Sequence, residues 1–236
     1  MKKGIILVLT TVVVSAVVVS IAQPALGYVV TVQVEGVVTE VQTWSGLELD
    51  SSVSVGSVMT GSFTYDSEAP DENLGENGLY WLNSFSMSVG NYTFTRDPEN
   101  AEYVYFHIMM PGFIVEPGQF RYEIRNFFDS DPLFYGPCYL DGQPTTLEDL
   151  DLPTRGMGIY LEGDNDGTIT SALPNENTFP DLSVFTIKRF EVSNDIGPSF
   201  GIGAEITSIT VIPEPGTVLL LGLGGLALRR KGKVQR

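Results

Sequence analysis

The sequence predicts an all-β protein, an antiparallel β-sandwich or jelly roll of about ten strands. Three observations carry this. Residues 28–212 break into short segments in which apolar and polar residues alternate, the two-residue period of a half-buried strand. Gly, Pro, Asn and Asp stand between these segments, where tight turns need them. No stretch of that region sustains the period of an amphipathic helix. An up-and-down barrel is the alternative way to close such a set of strands.

The elements follow in order. Residues 28–43 form the first strand, with Val30, Val32 and Val34 on one face and Thr31, Gln33 and Glu35 on the other; Gly36 marks a bulge or bend. Residues 55–65 repeat the pattern, setting Met59, Gly61, Phe63 and Tyr65 opposite Val58, Thr60, Ser62 and Thr64. Residues 66–78 are an acidic loop. Residues 79–89 and 92–95 form a hairpin across Gly90-Asn91. Residues 103–110 and 120–127 are strands separated by Pro111-Gly112 and Pro117-Gly118. Residues 129–153, with Pro132, Pro137, Pro144 and Pro153, read as irregular except for one helical turn at 146–150, capped by Thr145 or Thr146. Residues 157–161 and 168–173 form a second hairpin, and 182–193 and 205–212 complete the domain.

Composition limits what this domain can do. Residues 28–212 carry six basic side chains against twenty-eight acidic ones, a net charge of −22. A nucleic-acid interface needs a basic face, so that class is excluded. The lone Cys138 leaves no internal disulfide, so the core must supply the stability. Tyr135, Tyr139 and Leu140 around it point to a buried thiol. The one histidine, His107, lies in a strand on a face with Tyr103, Tyr105 and Met109. A single histidine excludes a histidine-rich metal centre, and no G-x-S-x-G elbow accompanies it. No strand carries the E-x-D-x-x-E pattern of some sandwich-fold hydrolases, so no catalytic residue is assigned.

One segment has ligand spacing. Glu162, Asp164 and Asp166, followed by Gly167 and Ile169, match the first half of a calcium loop, with oxygen ligands at alternate positions before a glycine. Position 1 is Glu rather than Asp, and Leu173 stands where the closing bidentate carboxylate belongs. Ca²⁺ is thus the one cofactor the residues raise, and an Asp-Gly hairpin turn accounts for the same residues without a metal. Asn91-Tyr92-Thr93 fits a glycosylation acceptor at a turn. Tyr80, Trp81, Tyr103 and Tyr105 read either as core or as an aromatic platform for sugar rings.

Both ends differ from the body. Lys2 and Lys3 precede an apolar stretch over 4–22, and Ala25 and Gly27 put small residues at the positions a signal peptidase reads. The expectation is a helical signal peptide over 1–27, cut to leave Tyr28, with an uncleaved anchor as the alternative. At the other end Pro213 and Pro215 hold a strip extended around the single carboxylate of Glu214. Residues 218–228 carry no charge; as a helix they span roughly 17 Å against a hydrocarbon core of about 30 Å. That makes a short transmembrane helix, and Arg229, Arg230 and Lys231 hold its end in the cytoplasm. The domain expected between the two ends is therefore exported.

In order and spacing, Pro213-Glu214-Pro215, Thr217, the Leu/Gly run and Arg229-Arg230 resemble the PEP-CTERM sorting signal of Gram-negative bacteria, here residues 213–236. The resemblance covers only the tail. It implies processing near the Pro-Glu-Pro motif by an exosortase, a membrane-embedded cysteine transpeptidase, and association with exopolysaccharide outside the cell. The opening strands, and a last strand over 206–211 that runs into Pro213, also resemble bodies bearing such tails. The expected function is a non-enzymatic surface or extracellular matrix protein. A lectin-like carbohydrate-binding domain, Ca²⁺-dependent or not, is the alternative, with a secreted glycoside hydrolase behind it.

Overall fold

The computed structural model describes residues 28–73, 77–96, 104–110, 115–126, 132–152, 154–175 and 177–212. The signal segment with Ala25 and Gly27, the sorting segment with Pro213, Glu214 and Pro215, and Tyr103 lie outside the described residues. Among the described residues the protein is all-β and antiparallel, with fourteen strands and no helix long and apolar enough to cross a membrane.

The spine of the fold is the pair formed by β1 (Val29–Trp44) and β14 (Ser199–Ile212), which run antiparallel from Thr31↔Ile212 to Trp44↔Ser199. On β1 the alternation expected from the sequence is observed: Val30, Val32 and Val34 are buried, while Gln33 and Glu35 are exposed. The register shifts at Glu35/Gly36 and again at Val38/Glu40. Gly36 is needed at the first shift, because a Cβ there would lie 2.5 Å from the backbone oxygen of Glu205. Bulges bend a long strand pair and raise its twist.

Twelve strands remain, nine of which extend this spine in both directions. The twelve are β2 (Leu47–Leu49), β3 (Val58–Asp66), β4 (Gly78–Trp81), β5 (Ser84–Val89), β6 (Tyr92–Thr95), β7 (Val104–Met109), β8 (Gln119–Asn126), β9 (Leu133–Tyr135), β10 (Pro137–Leu140), β11 (Gln143–Thr146), β12 (Arg155–Asp164) and β13 (Phe185–Asn194). Eleven form one sheet in the order β4-β7-β8-β12-β13-β14-β1-β3-β5-β6-β9. The sheet curls until distant strands oppose one another. Phe63 and Tyr65 of β3 meet Phe106 of β7 edge-on at 5.8 and 5.7 Å, and Phe94 of β6 meets Phe200 of β14 at 6.3 Å. The opposed faces therefore belong to one hydrogen-bonded sheet bent on itself, and its inner face encloses the apolar core.

Several expectations are corrected. The proline-rich stretch after residue 129 is not irregular: it contributes β9, β10 and β11, and β2, β10 and β11 form a second, three-stranded sheet. The β10–β11 turn is Asp141-Gly142, both at positive φ (50° and 75°), as a tight primed turn requires. Pro137 opens β10 and Pro144 lies on the edge strand β11, positions where a missing N–H is tolerated. Residues 168–173 are not a strand; β12 pairs instead with β8 and β13. The expected turn at Gly90-Asn91 is present, joining β5 and β6 with Gly90 at φ 55°. A 3₁₀ turn at Leu147–Asp149 follows Thr146, whose side chain makes no capping bond.

Tyr92 ties the small sheet to the large one. Its hydroxyl accepts the Asp50 N–H at 2.5 Å and donates to the carbonyl oxygen of Pro137. Burial raises its pKa to about 12, against the opposing effect of the Asp50 N–H bond. Cys138 of β10 is buried as a free thiol. Burial, then Glu148 and Asp149, push that thiol up to about 11, which makes it a poor nucleophile at neutral pH.

Candidate functional site

The structure places the residues singled out from the sequence at separate points. Glu162 lies on the outer face of β12, where Arg121 of β8 holds its carboxylate through Nη2 at 2.6 Å and Nε at 2.7 Å. Asp164 ends the strand. Asp166 accepts the backbone N–H of Thr168 at 3.0 Å and its hydroxyl at 2.7 Å. These contacts take up two of the three carboxylates that the calcium spacing had aligned. Among the described residues no group of three or more His, Cys, Asp or Glu side chains is placed to hold a metal ion. Tyr80 and Tyr105 are buried, and the Tyr80 hydroxyl donates to the carbonyl of Ser171 at 2.9 Å, so neither belongs to an exposed platform. Asn91 lies at its turn and donates to Asp50 Oδ2 at 3.2 Å.

His107 lies on the outer face of β7, in register with Leu79 and Glu123. Its ring meets Tyr105 edge-on at 6.0 Å, and its Nε2 is buried without a hydrogen-bond partner. Glu123 is itself engaged by Arg125 Nη1 at 2.7 Å. Burial lowers the imidazole pKa, against the pull of the Glu123 and Asp71 carboxylates. The folded protein therefore prefers neutral His107, whereas the unfolded chain takes up its proton near about pH 6.5. This group leaves stability intact above that pH, and stability falls as pH drops toward the lowered folded value. Replacing His107 by Gln is expected to flatten the urea-midpoint profile between about pH 7 and pH 5; an unchanged profile would assign the slope to other groups.

A hollow of about 390 Å³ lies on the outer face over Gln33, Glu35, Thr60, Ser62, Ser86 and Ser208. It contains no aromatic ring, and its hydroxyls pair with one another, Ser62 with Ser86 at 3.1 Å.

Two smaller hollows of about 160 Å³ each adjoin further along the outer face and share Glu191, Ser193 and Asp195. Register builds them. Gly203 of β14 is flanked by Glu40 of β1 and Glu191 of β13, and Gly201 by Gln42 and Ser193. On β12, Gly158 pairs with Glu191 and Gly156 with Ser193. Glycines thus flank β13 on both sides, Gly156 and Gly201 half-buried and Gly158 and Gly203 buried beneath neighbouring side chains. Trp44 stands at the β1 end, 49% exposed, and Tyr160 lies over Gly158 at the other. Arg189 sits between two carboxylates, 4.0 Å from Glu40 and 3.7 Å from Glu191. All three side chains are about half exposed, and such pairs hold loosely, at about 0–1 kcal/mol.

Sequence reasoning missed this groove. It ended the first strand one residue short of Trp44 and began the last at Glu205. The available signal was paired alternation: Glu40, Gln42 and Trp44 at every second residue, and Gly201 and Gly203 likewise.

The tail joins the fold without a linker, since β14 is still paired at Ile212. No curated protein and no solved structure matches the chain. Residues 211–231 match the family model of the PEP-CTERM protein-sorting motif, and the chain thus carries at its C-terminus the mark of an exosortase-targeted exported protein.

Proposed function

We propose that this chain is a non-enzymatic protein of the cell surface or extracellular matrix that associates with exopolysaccharide after export. Signal peptidase removes residues 1–27, and an exosortase processes the tail near Pro213-Glu214-Pro215 while residues 218–228 lie in the membrane. The observation that carries this reading is the pairing of Thr31 with Ile212 at the start of the matched sorting motif, directly before Pro213. It supports presentation of the recognition strip at the end of a folded strand, close to the membrane. The net charge of −22 on residues 28–212 supports a soluble domain whose copies repel one another. A carbohydrate-binding role for the same domain is favoured by half-exposed Trp44 beside the glycine floor.

The test is fractionation of an exosortase-bearing host, with the mass of the product measured at both ends. The expected product starts at Tyr28, lacks residues 218–236 and lies outside the cytoplasm. Intact chain dissolved in the cytosol would overturn the reading. Release of reducing ends from polysaccharide by the purified protein, abolished by carboxylate substitutions, would overturn its non-enzymatic part.

A further inference from the structure

We propose that the groove across β1, β14, β13 and β12 binds an uncharged polysaccharide chain laid across the strands, with Trp44 stacking on one sugar ring. This rests on the reading of the protein as an exported, exopolysaccharide-associated one and adds the site and the class of glycan.

Trp44 is the first support. An indole half out of the protein offers a flat apolar face with an N–H at its edge. A pyranose offers the complement, a face of C–H groups ringed by hydroxyls. The polar rim is the second support. Glu40, Gln42, Arg189 and Glu191 end in planar groups with two or more donors or acceptors each. Gln42 Nε2 donates to Glu40 Oε1, while the pairs of Arg189 with Glu40 and Glu191 are long and exposed, so neighbouring sugar hydroxyls can replace those two at small cost.

The floor is the third. Gly156, Gly201 and Gly203 have no positive φ, and a Cβ on them would meet nothing closer than 3.6 Å. Neither backbone nor packing asks for glycine there, in contrast to Gly36 and Gly61, where a Cβ would lie 2.5 Å and 2.8 Å from its nearest neighbour. Glycine weakens a strand interior and often marks the close approach of a ligand. What these three glycines provide is a floor without side chains, in ordinary van der Waals reach of its neighbours: the Trp44 ring at Gly201, and Arg189 and Glu40 at Gly203.

Charge selects the glycan. The lining itself is balanced, with Glu40, Glu191 and Asp195 against Arg125, Arg155 and Arg189, so it is the −22 on residues 28–212 that repels an anionic polymer. Length selects a chain over a monosaccharide: four strands at about 4.8 Å spacing give a path of about 14 Å.

The test is calorimetric titration of the full-length protein in mild detergent with cellohexaose, mannohexaose and chitohexaose, and with a galacturonic acid hexamer as the charged control. At least one neutral hexasaccharide is expected to bind and the acidic one not to. Trp44→Ala is expected to weaken binding about tenfold or more. Gly201→Val is expected to do the same while the melting temperature stays level or rises, because the strand gains a β-branched residue whose Cβ makes only ordinary contact, 4.0 Å from the Trp44 ring. No binding by any neutral hexamer at millimolar concentration overturns the proposal. So does equal binding of the acidic hexamer, or binding that survives both substitutions. If the protein is exported and trimmed but binds none of the neutral hexamers, the groove assignment fails and the export reading stands. If it binds them through Trp44 but stays uncut in the cytosol, the export reading fails and the groove assignment stands.

Discussion

Replacing Phe190 by alanine is expected to lower the unfolding free energy by about 3–5 kcal/mol, measured by urea unfolding with an unchanged slope. Phe190 is 0% exposed. Its ring fills a slot made by residues that have little or no side chain. It projects from β13 beside Ala204 of β14, and it lies where Cβ atoms on Gly36 and Gly61 would come within 3.1 Å and 2.8 Å of it. Three strands therefore meet under one ring. The walls of that slot are sheet backbone, held by ladder hydrogen bonds, so they cannot collapse into the space the ring leaves. That places the cost in the upper part of the range for large-to-small changes. The same geometry makes a coupled prediction. Gly61→Ala should be strongly destabilising alone and much less so alongside Phe190→Ala, because the alanine methyl then enters the vacated slot.

Changing Pro213, Glu214 and Pro215 together to alanine is expected to abolish processing of the tail. Proline lacks a backbone N–H and breaks helices, whereas alanine is the best helix former, so the change removes both helix breakers from the motif. The single carboxylate at that point is lost as well. Intact, membrane-associated chain should then replace the trimmed exported form on an immunoblot. The melting temperature of the domain should not change, since the substitutions begin beyond Ile212, the last residue of β14. Trimming at the unsubstituted rate would show that another part of the tail is recognised.

Much of the fold was legible because strands with one wet face carry their own pattern. Val30, Val32 and Val34, or Met59, Phe63 and Tyr65, can alternate only if one side meets the core and the other meets water. The Gly36 bulge and the Gly90 turn were legible because each needs glycine for a local steric reason. The small sheet was hidden because prolines 137 and 144 masked the Asp141-Gly142 turn signal, although both prolines occupy positions that strands tolerate. The first half of β14 was hidden because Gly201 and Gly203 resemble a loop. The groove was hidden for a different reason. Trp44, Gly201 and Glu191 become neighbours through register between segments far apart in sequence, and no local window records that register. The tail was legible because its order of prolines, apolar run and basic cluster is itself the signal.

The place of β14 in the sheet sets the order in which the molecule can be finished. Without it, β4, β7, β8, β12 and β13 form one half and β1, β3, β5, β6 and β9 the other, with no ladder joining them. During synthesis and passage through the membrane, β14 emerges after every other strand in this sheet. Joining strands so distant in sequence is slow, and until it happens both half-sheets expose an unpaired edge. The matched sorting motif, residues 211–231, begins on the last two residues of that strand. On the function proposed above, the membrane holds the tail as the last strand seats, and a copy held there would complete its sheet at a distance from other unfinished copies, with less chance to trade edges with them.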